Sequence, residues 1–320
     1  MRSDAQCTPA EAVAIFKAQL LREPAANQPR QAWIGSGGKA LSAHWPEYLC
    51  EGLCLSAFMI SACFFAVLLQ HPASPVRQSV DNANLRHLLG GLAMGLTAVT
   101  IIYSRLGMRS GAHMNPVVTL TFYRLKKVMG WDAIFYVMSQ FAGGLAGTVF
   151  ALVLWRMALA HREVNFAVTQ PGQRGALVAF VAELLISFLM MSAVLRFSNH
   201  SKLARYTGLA AGVLVMLFIT FEAPLSGMSM NPARSFGTAV VSMEWNGLWI
   251  YFTAPLLGMM AAAEMFVRSK GTHAVICAKL NHSGTARCIF RCGYAQQQAV
   301  TRTGNVPGAA QQRSLSQSAG

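Results

Sequence analysis

Charge is scarce in this sequence. Only 12% of its 320 residues are Asp, Glu, Lys or Arg, about half the share of a soluble globular domain. Acidic residues are the scarcer sign, 12 against 26 Lys and Arg. That deficit excludes an ordinary soluble domain. The 54% hydrophobic content and mean hydropathy of +0.40 point to a membrane protein instead. The formal charge of +14 raises nucleic acid as a partner. However, the basic residues flank apolar runs and form no single stripe, so no nucleic acid is expected. A nucleophile–base pair and a phosphate-binding loop are also missing, so neither an enzyme nor a cofactor is expected. No cleavable signal is evident; "TPAEAVAIFKAQLL" in the polar N-terminal stretch could form a short amphipathic helix. Cysteine is sparse: Cys7, Cys50, Cys54, Cys63, Cys277, Cys288 and Cys292. None lies in a segment placed outside the cell, which argues against a disulfide framework.

Long apolar runs are abundant. A spanning helix needs about 20 mostly apolar residues. Six runs approach that length: Tyr48–Gln70, Leu88–Ser104, Ala133–Trp155, Ala176–Leu195, Tyr206–Pro224 and Gly247–Phe266. Each is punctuated by Gly, Ala or Ser, which permits close helix contact in lipid. Two further runs, Val117–Leu125 and Ala233–Val241, are too short to cross. The first follows "SGAHMNP" and the second "SGMSMNP". Three spans with a short run after the second are thus written twice. Three is odd, so the second copy lies inverted relative to the first. All but six Lys and Arg residues (Arg77, Arg86, Arg156, Arg162, Arg174, Arg234) fall on the side of the two termini. By the positive-inside rule, both termini are expected in the cytoplasm.

Asn before Pro starts a helix: Asn caps free backbone N–H groups, and Pro suits the first turn. Asn115 and Asn231 therefore each start a half-helix that enters the membrane and returns. Non-helical backbone at that depth is tolerated where it is buried or lines a watery cavity. Two such N-termini near the midplane, each with about half a positive charge, would repel cations and hydronium. The two Asn amides can donate to a passing oxygen and interrupt a proton-conducting water chain. A single N-P is more often an ordinary turn; two matched copies after matched spans favour the paired reading.

On "NPARSFG" at Asn231 and "SGAHMNPVVT" at Ser110, the chain resembles the aquaporin, or major intrinsic protein, family over roughly residues 47–268. Val117 departs from the usual alanine and is expected to alter packing where the half-helices meet. The resemblance implies an all-α membrane protein with six spans and two re-entrant half-helices in an inverted 3+3 repeat. It implies a pore in each subunit of a homotetramer and a location in the plasma (inner) membrane. Residues 1–46 would be a cytoplasmic N-terminal segment and 269–320 a cytoplasmic tail. Glu51 and Glu183, at equivalent places in the first and fourth spans, would anchor the re-entrant backbone. The rival for this pair is proton coupling in a secondary transporter. Glu222 and Glu264, near span ends, are expected to reach water. Gln140 would hydrogen-bond within the third span. His113 would tether its loop or narrow the inner vestibule, with an ordinary polar loop residue as the alternative.

The same resemblance marks Arg234 as a filter arginine that donates to the permeant. Met228, Ile219 and either Met94 or Gly95 would complete the constriction. Water channels of the family usually carry a histidine at the place of Ile219 and an aromatic in the second span, so this filter is expected to be more apolar. Glycerol channels usually have Asp where Ser235 stands, and Pro-Leu where Tyr251-Phe252 stands. Water is the favoured permeant, with glycerol or another small neutral solute as the alternative. In the tail, Cys277, His282, Cys288 and Cys292 are ligands of the kind that hold zinc. Their spacing fits no familiar template, and free or lipid-modified thiols are the commoner case, so no metal is assigned. The last 25 or so residues, rich in Gln, Ser, Ala and Gly, are expected to be disordered.

Overall fold

The computed structural model describes residues 36–282 and 287–294. Six helices among them are long and apolar enough to cross a membrane. They are α1 (Gly37–Gln70), α3 (Ala83–Tyr103), α6 (Gly130–Ala160), α7 (Ala176–Ser198), α8 (Thr207–Phe221, preceded by a 3₁₀ turn) and α11 (Leu248–Lys270). Two short helices follow the repeated phrases: α5 (Pro116–Arg124) and α10 (Pro232–Ser242). The connections add α2 (Pro75–Ser79), α4 (Arg105–Ser110) and α9 (Ala223–Ser226). The order of α1, α3, α5, α6 is repeated by α7, α8, α10, α11. This is the expected all-α, inverted 3+3 architecture.

Local chemistry sets the helix ends. Asn82 caps α3 by accepting from Leu85 N at 3.1 Å, and Ser104 caps α4 by accepting from Gly107 N at 3.1 Å. α6 leaves helical geometry at Arg156 (φ 35°), next to the expected end at Trp155. The largest departure from expectation is the start of α1. Pro46 and its polar neighbours resemble a boundary in the sequence, yet the helix runs from Gly37 through Pro46. Several polar groups there find partners inside the protein. His44 Nδ1 and Tyr48 Oη lie 2.7 and 2.6 Å from Asp132 Oδ1, and Arg109 Nε lies 3.3 Å from the buried Glu47. The division expected at residue 46 therefore falls within a continuous helix.

Glycine lets the spans touch backbone to backbone, the packing used where lipid removes any hydrophobic drive between helices. A Cβ on Gly143 would sit 2.2 Å from Gly52 O where α6 crosses α1. One on Gly212 would sit 2.7 Å from Gly95 O where α8 crosses α3. Large apolar side chains such as Leu53, Leu96, Val153, Leu154, Leu185 and Leu257 point outward and are exposed. They form a surface suited to hydrocarbon. Six crossings return the chain to its starting face, here called the terminal face. The residues after α11 pack back onto that face.

Candidate functional site

The two re-entrant loops share one backbone conformation. Gly111, Ala112 and Met114 have positive φ, and so do Gly227, Met228 and Met230. Glycine begins each run because this left-handed region is strained for residues bearing a Cβ. Ser110 Oγ accepts from Ala112 N at 3.0 Å, and Ser226 Oγ accepts from Met228 N at 3.1 Å. The Ser110 and Ser226 carbonyls each accept a tyrosine hydroxyl at 2.5 Å, from Tyr136 in α6 and Tyr251 in α11.

Buried carboxylates hold the strained loops from behind. Glu51 Oε1 accepts from Met114 N and from Gln140 Nε2, the latter at 2.8 Å. Gln140 Nε2 also lies 3.0 Å from Thr119 Oγ1 in α5. Glu183 Oε1 accepts from Ser229 N at 2.6 Å and Ser226 Oγ at 2.9 Å, and its Oε2 from Met230 N at 2.7 Å. Glu222 departs from expectation: it is buried, with its Oε1 against Ser226 Oγ inside the same network. Glu264 is partly exposed and pairs with Arg124 at 2.6 Å.

The tips of α5 and α10 meet through their caps. Asn115 Oδ1 accepts from Val117 N at 2.8 Å, and Asn231 Oδ1 from Ala233 N at 3.0 Å. Each side-chain amide then donates across to the other loop, Asn115 to Met230 O and Asn231 to Met114 O. Val117 is buried in the core and does not border the lumen, whereas Val118 does.

A cavity of about 140 Å³ runs past both asparagines. Its wall is mostly carbon, including Leu55, Ile102, Met190, Val215 and Met259, with His113, Asn115, Asn231 and Arg234 as the main polar points. A second cavity opens on the face opposite the termini. Five residues line both: Ala62, Met94, Ile219, Met228 and Arg234. They form a ring between the two cavities. Arg234 lines both cavities at this ring, and its Nη1 is buried without a hydrogen-bond partner. Met94 belongs to the ring; Gly95 does not, because one residue further along α3 faces the Gly212 carbonyl. Ala62 escapes sequence reasoning, since a small residue in an apolar span carries no signal. Its one possible marker is the repeat, which pairs it with Val194, another lining residue. Ser235 does not face the lumen; it bonds Ser229 and Thr169 at 2.6 and 2.7 Å.

His113 is buried and bonded at both ring nitrogens. Nδ1 lies 3.0 Å from Thr119 Oγ1, and Nε2 lies 2.8 Å from Ala278 O. Ala278 belongs to the tail, so the loop is tied to a segment with no evident partner in the sequence. In that tail, one ligand atom from each of Cys277, His282, Cys288 and Cys292 lies within 4.8 Å of the others. The hydrogen bond between the Cys277 and Cys288 sulfurs lowers the proton affinity of Cys288 and raises that of Cys277. The N-terminal stretch with Cys7 and the final 25 or so residues lie outside the described residues.

This geometry agrees with comparisons to known proteins. The family profile "Major intrinsic protein" matches residues 42–266. "Aquaporin NIP2-1" of Oryza sativa subsp. japonica is 32% identical over 240 residues, covering 74% of this chain and 76% of that protein. "Probable aquaporin NIP4-2" of Arabidopsis thaliana is 34% identical over 173 residues, covering 54% of this chain. The chain spans 59% of the length of that relative. Among solved structures, the aquaglyceroporin of Plasmodium falciparum shares the fold with a TM-score of 0.57 at 18% identity, covering 70% of this chain and 95% of that one. The chain belongs to the major intrinsic protein family, whose members are multi-pass membrane channels and not enzymes.

Proposed function

We propose that the chain is a passive channel for water and small uncharged, hydroxyl-bearing solutes, and that the five-residue ring selects among them. One observation carries this reading. The ring combines the Arg234 guanidinium, the one charged group there, with only Ala62, Met94, Ile219 and Met228 around it. A hydroxyl can accept from Arg234 while an alkyl edge lies against the carbon wall. A cation meets Arg234 first and then the N-terminal ends of α5 and α10, so it is repelled twice. At the centre, Asn115 and Asn231 orient each water by donating to its oxygen, which interrupts proton hopping. Water alone is the second reading. It is favoured by the water-type residues Ser235 and Tyr251-Phe252, but Ser235 and the Tyr251 hydroxyl are used behind the lumen wall.

On this reading both termini face the cytoplasm of a cell bounded by the plasma (inner) membrane. The channel unit spans residues 47–268 functionally, and four copies assemble as the family resemblance implies. Osmotic shrinkage of proteoliposomes, read by stopped-flow light scattering, tests the reading. Fast water flux with low activation energy and measurable glycerol flux, both independent of any ion gradient, are expected. Solute flux that requires a proton gradient would overturn it in favour of a coupled transporter.

A further inference from the structure

The tail after α11 turns back across the mouth of the lumen. Leu280 lines the central cavity, and its N–H donates to Gly111 O in the first re-entrant loop at 3.1 Å. Two residues before it, Ala278 O lies 2.8 Å from His113 Nε2. Lys279 Nζ donates to Met108 O at 2.7 Å, and the Phe290 ring stacks on His113 at 5.3 Å. Val275, Cys277, Ala278 and Lys279 are almost completely buried. An extended segment without helix or strand therefore occupies the terminal mouth, held by the loop that forms the pore.

A cluster of soft ligands sits beside the segment. Cys277 Sγ lies 3.6 Å from Cys288 Sγ, far beyond a disulfide bond and close to the ~3.8 Å edge of a tetrahedron with zinc–sulfur bonds. Cys292 Sγ lies 3.0 Å from His282 Nε2. Three thiols and one imidazole, each offering one atom to a common centre, are a closed zinc ligand set. The neighbours fix the cluster to the channel. Tyr294 Oη donates to Ser198 O at 2.6 Å at the end of α7, and Arg291 N donates to Lys127 O at 3.0 Å beyond α5.

We propose that Cys277, His282, Cys288 and Cys292 bind one zinc ion, and that the bound ion locks Leu280 across the terminal mouth so that metal occupancy closes the channel. The ion displaces the thiol protons to solvent and forms three Zn–S bonds and one Zn–N bond; no electron is transferred. Loss of the ion frees the ligands from their common centre, and the extended segment can then leave the mouth. The closure half of this proposal rests on the channel reading above; the metal half does not.

The test uses the full-length chain, kept reduced, loaded with zinc sulfate and dialysed. Metal is counted by plasma mass spectrometry, and water flux is measured in proteoliposomes before and after a membrane-permeant zinc chelator. About one zinc per chain is expected, with flux rising about fivefold or more on chelation and falling when zinc is restored. The double variant Cys288→Ser/Cys292→Ser should hold no stoichiometric zinc and should ignore both chelator and zinc. Leu280→Gly should keep its zinc but lose most of the flux response. A reduced wild-type chain that retains no zinc overturns the metal site. Bound zinc whose removal leaves a substantial flux unchanged overturns the lock. Bound zinc with no flux in any state, before or after chelation and in the double variant, overturns the channel reading and the closure built on it.

Discussion

Asn115 and Asn231 each complete the other's loop: Asn115 Nδ2 donates to Met230 O and Asn231 Nδ2 to Met114 O, both at 2.6 Å. Each amide oxygen is already turned back to cap its own helix. The exchange consumes one amide hydrogen per side chain and leaves the second for the lumen, which both residues line. The position of one half-helix is therefore set by the other, and neither loop can shift alone without leaving a buried carbonyl unpaired.

Asn115→Ala removes the cap on Val117 N and leaves Met230 O without its donor. It should cost about 1–3 kcal/mol of stability, the usual penalty for an orphaned buried group. Thermal unfolding in detergent should show a lower midpoint, and a pH-sensitive dye inside proteoliposomes should report faster proton entry. A variant as stable and as proton-tight as wild type would refute the exchange as a structural element.

The two buried glutamates should respond differently to the same change. Both donors to Glu51 converge on Oε1, whereas Glu183 uses both of its oxygens. In Glu51→Gln the amide oxygen can keep the place of Oε1. In Glu183→Gln one backbone N–H must face an NH₂ group. Glu183→Gln should therefore lose about 2 kcal/mol more than Glu51→Gln, and Glu51→Gln should still conduct. Abolished transport in a well-folded Glu51→Gln would instead favour the proton-coupling rival.

How much of this was legible in the sequence depends on repetition. The half-helices were readable because Asn-Pro occurs twice in matching places, and each copy constrains the other. Ile219, Met228 and Arg234 were reachable only through the family resemblance, which places them by counting from Asn231. The second-span position stayed ambiguous because one residue turns a helix by about 100°, and only the packing of Gly95 on Gly212 separates Met94 from its neighbour. The start of α1 was hidden by Pro46, His44 and Glu47, whose partners Asp132 and Arg109 lie far along the chain. The return of the tail was hidden too, since an extended segment held by backbone bonds has no periodicity to read.

Gly212→Val tests the crossing of α3 and α8. The added Cβ would meet Gly95 O at 2.7 Å and Val99 Cγ2 at 2.3 Å. The helices must separate, at a cost of about 1–3 kcal/mol or more. That movement also displaces Met94 and Ile219, which those helices carry into the ring. Reduced yield of folded protein and altered solute selectivity should appear together; normal yield with normal selectivity would show that the close approach is dispensable.

The ring itself can be tuned in two directions. Ile219→His replaces an apolar wall with a second donor, so a solute loses its place for an alkyl edge while water gains a partner. The glycerol-to-water permeability ratio should fall by about tenfold, the scale of a lost apolar contact in a tight site. Arg234→Ala does the opposite: it widens the ring and removes its positive charge. Flux of larger neutral solutes should rise and a cation leak should become measurable by voltage-clamped bilayer recording, although the dipoles of α5 and α10 still oppose it. If both variants keep the wild-type ratio, selection happens elsewhere along the lumen, and the five residues shared by the two cavities are only a passage between them.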